Sequence, residues 1–107
     1  MDLKFFASTY DLTKEKVRSI ISNGECIEIS IEFDININYI GNGLRSEFDY
    51  KPTHKFIVKE KYEEFNIENP KIISVKYENS TLKILLENKE INISSNEIIC
   101  EQNFEVN

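Results

Sequence analysis

Several residue types that mark specialised classes of protein are scarce in this sequence. Its 107 residues include two cysteines, three glycines and one histidine, and the cysteines do not form a CxxC pair. This spacing argues against a zinc site, and the chain is long enough to build a hydrophobic core without disulfides or metals. A glycine-rich phosphate loop is absent, as are the GxSxG, HExxH and EF-hand signatures. We therefore expect no cofactor, no bound metal and no catalytic activity.

Long apolar stretches are missing too. No segment approaches the roughly 18 apolar residues of a transmembrane helix, and the Phe5-Phe6 pair is too short for the apolar centre of a signal peptide. The sequence therefore favours a cytoplasmic protein in which Cys26 and Cys100 are reduced thiols.

Negative charge predominates. The chain has 19 acidic and 13 basic residues, which gives a formal net charge of −6. Such a protein repels nucleic acid and anionic membranes, so neither is an expected partner. A basic protein is the partner that this charge favours, although an acidic surface also serves solubility alone.

The remaining composition is that of an ordinary globular domain. Apolar residues make up 40% of the chain and aromatic residues 11%, which argues against disorder. The length and the lack of any internal boundary predict a single domain over residues 1–107.

The clearest pattern is an alternation between positions 27 and 39. Every odd position from Ile27 to Tyr39 is apolar, and every even position from Glu28 to Asn38 is polar. A period of two predicts a β-strand with one buried face and one wet face. Fully extended, the segment would span about 43 Å, at roughly 3.3 Å per residue. It must therefore coil or bend at a bulge to fit a compact domain.

The segment before this strand has helical spacing. Leu12, Val17, Ile20 and Ile21 fall near one stripe, and Asn23-Gly24 is a typical C-cap. These signals predict a helix over residues 13–22 that packs on the apolar face of the long strand. Residues 3–8 are interpreted as a short first strand or an apolar lead-in.

Asn42-Gly43 is a strong β-hairpin signal, because both residues accept the positive φ of a type I′ turn. A two-residue loop here pairs Ile37 with Phe48 and Ile35 with Tyr50. It also brings polar residues opposite polar residues, including Asp34 opposite Lys51. A slip of one residue would destroy this match.

Weaker signals complete the predicted sheet. A third strand covers residues 54–60, and residues 59–65 are either a helical turn or a loop. A second meander has strands over residues 71–78, 81–87 and 90–94, and a last short strand holds residues 98–100. In this meander Ile73, Val75 and Tyr77 are expected to face inward, and Ile91 and Ile93 are expected to pair with Leu86 and Ile84.

These elements predict an α+β fold. We expect an antiparallel, mostly meander, strongly curved sheet of about six or seven strands packed on one N-terminal helix. A β-sandwich or a small barrel with the helix as a plug is the alternative.

The predicted binding residues are five carboxylates on the wet face of the first hairpin and one aromatic residue of the other face, at the hairpin tip: Glu28, Glu32, Asp34, Glu47, Asp49 and Tyr39. Rigid strands would hold the carboxylates at fixed spacing, while Tyr39 or Tyr50 could anchor a partner. Alternation alone also places acids on a wet face, so a solvated face without a partner is the competing interpretation. His54 is interpreted as a surface histidine in a turn.

Two functions follow from these patterns. In size and charge, though in no motif, the chain is similar to small acidic proteins with which bacteria neutralise co-encoded toxins, many of them nucleases. That similarity implies a non-enzymatic immunity-type inhibitor of a basic partner. The alternative is a β-domain that holds a small apolar ligand between Phe33, Phe48, Phe56 and Tyr50.

Overall fold

The computed structural model describes residues 1–41 and 43–103, with side chains described outside residues 35–40, 44–50 and 102–103. Within these residues the chain forms one helix and ten strands. The helix α1 spans Leu3–Thr9. The strands are β1 (Lys16–Ser22), β2 (Cys26–Glu32), β3 (Ile35–Gly41), β4 (Leu44–Tyr50), β5 (Thr53–Lys59), β6 (Phe65–Glu68), β7 (Ile72–Glu78), β8 (Thr81–Leu86), β9 (Glu90–Ile93) and β10 (Ile98–Asn103).

All strand pairs are antiparallel, and the strands group into three ladders. A five-stranded sheet has the order β10-β5-β2-β1-β6, a three-stranded sheet has the order β7-β8-β9, and β3 pairs with β4. The prediction of an antiparallel α+β fold with one N-terminal helix is confirmed. The predicted strand number and single sheet are wrong, and the described sheets remain open.

One hydrophobic core joins the two larger sheets. Ile27, Ile29 and Ile31 of β2 are fully buried in the same cluster as Ile84 of β8 and Phe6 of α1. The two sheets therefore face each other across a shared core, which α1 helps to close. This layering is nearer to the sandwich alternative than to one curved sheet.

The predicted helix over residues 13–22 is wrong, because Lys16–Ser22 is strand β1. A β-bulge between Val17 and Ser19 shifts the alternation by one residue. Val17, Ile20 and Ser22 are consequently buried, and a bulged strand with this pattern imitates helical spacing. Pairing with β2 on one side and β6 on the other fixes the segment as a strand.

The helix instead occupies the predicted lead-in. The Asp2 side chain caps α1 by accepting a hydrogen bond from the N–H of Phe5 at 2.7 Å. Leu3 and Phe6, three residues apart, turn one face of α1 into the core. A helix of seven residues is too short to be stable alone, so α1 depends on this packing for its stability.

The long alternation is divided between β2 and β3. The break falls at residues 33–34, where the N–H of Phe33 donates to the carbonyl oxygen of Pro52 at 2.9 Å. Beyond it, the predicted hairpin register is confirmed, with Ile37 opposite Phe48 and Ile35 opposite Tyr50. Gly43 has the expected positive φ, whereas Asn42 lies outside the described residues. The predicted Asp34–Lys51 pair lies just beyond the ends of this ladder.

The second meander follows the prediction in part. Leu82, Ile84 and Leu86 face inward as expected, and the pairing of Val75 with Ile84 is confirmed. A bulge leaves Ile73 exposed rather than inward, and Tyr77 is also exposed at the end of its strand.

The register of β8 with β9 differs from the predicted one by two residues. Ile84 pairs with Ile91 and Leu82 with Ile93. The reason is that the two-residue turn falls at residues 87–88, one position earlier than the predicted 88–89, where the Leu86 N–H donates a hydrogen bond to the Lys89 carbonyl oxygen. A shift of two keeps the same side chains inward.

Three further segments complete the comparison with the sequence patterns. The third strand occurs as β5. Residues 60–64 are irregular, which agrees with the loop interpretation of this segment rather than the helical turn. Strand β6 was not predicted. The last strand extends to residue 103, and the tail residues Phe104 and Val106 lie outside the described residues.

Candidate functional site

Glu28 and Glu32 lie on the face of β2 opposite the buried isoleucines, as the alternation predicts. Their charges are compensated within the sheet. The Glu28 carboxylate lies 3.4 Å from the Lys55 ammonium, which comes from the neighbouring strand β5. Glu28 is therefore part of a cross-strand ion pair.

Glu32 is held more firmly. Its carboxylate is 11% exposed and lies 2.8 Å from the Lys16 ammonium and 2.9 Å from Nη2 of Arg18. The hydrogen bonds from Lys16, followed by those from Arg18, lower the pKa of Glu32 below its usual value. Both cations reach this one carboxylate because Lys16 and Arg18 lie on either side of buried Val17 and so share the outer face of β1.

Glu32 and Asp34 meet at the rim of a cleft of about 560 Å³, which we call the acidic cleft. It lies where β2 ends, β5 begins and the chain passes from α1 to β1. Its lining is formed by aromatic and charged side chains: Tyr10, Lys14, Glu15, Lys16, Glu32, Phe33, Asp34 and His54. Carboxylates outnumber lysines three to two in this lining.

Aromatic rings form the wall of the acidic cleft. The Phe33 and His54 rings are 4.7 Å apart, and Tyr10 lies 6.1 Å from Phe33 and 4.8 Å from Phe56. Partial burial raises the pKa of the Tyr10 hydroxyl, and the nearby Cys100 and Glu15 raise it further. The wall therefore continues directly into the hydrophobic core through Phe56.

His54 was expected on a surface turn, and that expectation is wrong. It belongs to β5, opposite buried Ile31, and its Nδ1 atom is buried without a hydrogen-bond partner among the described residues. A polar atom in this state favours a ligand or water that can pair with it. The signal was present in the sequence, because His54 shares its alternation with Phe56 and Val58.

The other predicted binding residues lie on the β3–β4 hairpin. Glu47 and Asp49 of β4 pair in register with Asn38 and Asn36, and Tyr39 of β3 pairs with Ser46. Their side chains lie outside the described ones. The acidic cleft is at the base of this hairpin, because Asp34 immediately precedes β3. The structure thus brings Glu32 and Asp34 together, with Glu28 on the outer face of β2.

The geometry also bears on two other kinds of site, a disulfide between Cys26 and Cys100 and a metal centre. Cys26 and Cys100 pair with opposite sides of β5, so two strand spacings of about 4.8 Å separate them. That separation exceeds the reach of a disulfide. Burial raises the pKa of the Cys100 thiol. Within the described residues, no group of three or more His, Cys, Asp or Glu side chains is arranged to hold a metal ion.

Comparisons with known proteins do not add to this picture. No family model, curated protein or solved structure matched this chain. Among the described residues, no helix is long and apolar enough to cross a membrane.

Proposed function

We propose that the protein is a non-enzymatic acidic binding protein that holds a basic side chain of a partner protein in the acidic cleft. The observation that carries this proposal is that Glu15, Asp34 and the Phe33 ring line one concave site. An arginine or lysine inserted there would meet an aromatic face and carboxylates together. Both contacts favour a cation, and their strength rises as water is excluded.

The lysines of the acidic cleft already have acidic neighbours. Lys16 contacts Glu32, and the Lys14 ammonium lies 3.9 Å from the Asp11 carboxylate. A cation from a partner would therefore be repelled less by these two lysines than by lysines without acidic neighbours. Electrostatic complementarity of this kind speeds association and makes it sensitive to salt.

The neighbouring hairpin supports an immunity-type role. Its two strands pair with neither of the larger sheets, and in its register Glu47 and Asp49 lie opposite asparagines rather than lysines. Carboxylates at fixed spacing on such a hairpin would suit the basic groove in which a nuclease binds its substrate. We propose a basic toxin, such as a nuclease, as the partner that the protein neutralises in the cytoplasm.

A binding experiment tests this role. A basic nuclease domain encoded next to this protein is purified, and its affinity is measured at low and high ionic strength. We expect affinity to fall with salt, and Glu15→Lys with Asp34→Lys to weaken binding by about tenfold or more, which is about 1.4 kcal/mol. Glu87→Lys with Glu97→Lys changes the net charge equally at exposed positions outside the cleft and is the matched control. Equal losses in both variants would reject the acidic cleft as the anchor.

A second experiment needs no identified partner. A short oligo-arginine peptide is titrated into the isotopically labelled protein, and amide and side-chain signals are followed by NMR. We expect the largest shifts at Phe33, Asp34 and His54. Shifts spread evenly over all exposed acids would indicate general charge attraction and contradict a specific site.

The alternative, a small-ligand protein, is favoured by one observation. The acidic cleft has the size of many small-molecule sites, and its lining includes His54, whose buried Nδ1 has no hydrogen-bond partner among the described residues. Phe56, however, is fully buried against Phe6 and Tyr10, so it belongs to the core below the cleft. Native mass spectrometry of the purified protein distinguishes the two proposals, because a retained small ligand would raise the mass and be lost in His54→Ala.

A further inference from the structure

Among the outer strands of the two larger sheets, β6 and β9 are short, and outer backbone groups are bound along β9 and at the start of β10. Strand β6 has four residues. The ammonium group of Met1 donates to the carbonyl oxygen of Ile98 at 2.9 Å, where β10 begins. Strand β9 has outer backbone groups bound by the side chains of Glu60 and Tyr62. Such devices prevent unwanted strand pairing.

The cap on β9 is formed by Glu60 and Tyr62. The Glu60 carboxylate accepts hydrogen bonds of 3.0 and 3.3 Å from the N–H of Ser94, just after the strand. The Tyr62 hydroxyl donates to the Glu90 carbonyl oxygen at 3.3 Å and accepts from the Asn92 N–H at 3.4 Å. One edge of the three-stranded sheet is therefore covered.

The other edge of that sheet, strand β7, is different. It pairs with β8, and within residues 1–41 and 43–103 no hydrogen bond reaches its outer side. Asn79 and Ser80 both have positive φ, so a type I′ turn closes the hairpin with Glu78 opposite Thr81. The backbone groups of Glu78 and Lys76 then point towards β8, whereas those of Tyr77 and Val75 point outward.

Apolar side chains accompany these outward backbone groups. Ile73 is 58% exposed and Tyr77 is 38% exposed, while Val75 is half-buried at the margin of the core. Tyr77 lies opposite Leu82, which is buried. The hydrophobic core is therefore incompletely covered along β7, at the same place where the backbone is able to pair.

We propose that β7 pairs antiparallel with β7 of a second copy of this chain, centred on Val75. A second copy is favoured because the strand is self-complementary about that residue, which is the midpoint of Ile72–Glu78. In this register Val75 lies opposite its own counterpart and Ile73 lies opposite Tyr77. Lys76 lies opposite Ser74, so no like charges directly oppose each other.

The resulting interface is isologous and joins the two three-stranded sheets into one continuous sheet. It satisfies the outward backbone groups of Val75 and Tyr77 in both copies. It also places the exposed Ile73 and Tyr77 side chains against each other. This proposal is independent of the acidic cleft, because no residue of β7 lines that cleft.

Sedimentation equilibrium of the intact protein tests the proposal over the widest accessible concentration range. We expect a dimer, and we expect Val75→Pro and Tyr77→Lys each to weaken self-association by about tenfold or more. Val75→Pro removes an outward N–H and leaves the β7–β8 ladder intact, which edge strands tolerate. Ile99→Lys alters an exposed apolar residue of β10 and is the control that should dimerise normally.

Amide hydrogen exchange adds a readout at single residues. In the dimer, the N–H groups of Val75, Lys76 and Tyr77 should all be protected from exchange. Dilution to the monomer should remove the protection of Val75 and Tyr77 but not that of Lys76. A chain that is monomeric at every concentration contradicts the proposal, as does equal loss of self-association in Ile99→Lys. Protection that appears only when another protein is added would contradict self-association and indicate that β7 pairs with that protein.

Discussion

Arg18 binds Glu32 with one guanidinium nitrogen, Nη2, which donates to both carboxylate oxygens at 3.0 and 2.9 Å. Arg18 is the extra residue of the β1 bulge. The residue that conceals the strand in the sequence is therefore also a member of the ion-pair cluster next to the acidic cleft. Lys16 completes the cluster from the other side of Val17.

Glu32 should make the stability of the protein dependent on pH. Its pKa is lowered in the folded state by Lys16 and Arg18, from an ordinary value of 4.5. The stabilisation is therefore fully present above that ordinary value and is lost as the pH falls through the folded-state pKa. We expect Glu32→Gln to reduce the acid-dependent loss of stability, measured by urea unfolding at neutral and acidic pH. An unchanged pH profile in Glu32→Gln would show that the cluster does not contribute.

The parts of the fold that were predictable depend on local chemistry. The register of β3 with β4 follows from two turn residues and the match of alternating side chains, so the pairing of Ile37 with Phe48 could be read directly. The inward residues of β8 follow from alternation in the same way. Where one residue is inserted, as at Arg18, alternation fails and a strand takes on helical spacing.

The candidate site was only partly predictable. Alternation correctly placed Glu28 and Glu32 on one face, but their partners Lys55 and Arg18 come from other strands. Which cation reaches which carboxylate depends on strand order, which the sequence does not contain. His54 was missed because it lies at the start of the predicted third strand, where a turn was expected, although its alternation with Phe56 indicated a position on the core side of β5.

Gly43→Val should destabilise the β3–β4 hairpin by about 1–2 kcal/mol, because a β-branched residue resists positive φ. Gly43 has φ of 77°, and a Cβ atom there would lie more than 4 Å from every described atom outside the adjacent residues. Backbone strain alone therefore sets the cost. Amide exchange of β3 and β4 measures the effect, and an intact hairpin with unchanged protection would contradict the turn assignment.

Ser80→Gly should have the opposite effect in the β7–β8 hairpin. Ser80 has φ of 60°, in the region that glycine occupies without steric cost. We expect stabilisation of up to about 1 kcal/mol, offset in part by the greater freedom of glycine in the unfolded chain. Thermal unfolding measures the change. Asn79→Gly should gain less, since asparagine tolerates the left-handed conformation better than serine.

Phe56→Ala should cause a large loss of stability, since Phe56 connects the two ends of the aromatic cluster. Its ring lies 4.9 Å from Phe6 and 4.8 Å from Tyr10, and the side chain is fully buried. Truncation of a buried phenylalanine typically costs about 3–5 kcal/mol, through lost burial and the cavity that remains. Phe5→Ala is the matched control, because Phe5 is 55% exposed on the outer side of α1 and should change the free energy of unfolding by no more than about 0.5 kcal/mol. Urea denaturation of both variants measures the difference, and similar losses would mean that α1 is packed differently from the arrangement described here.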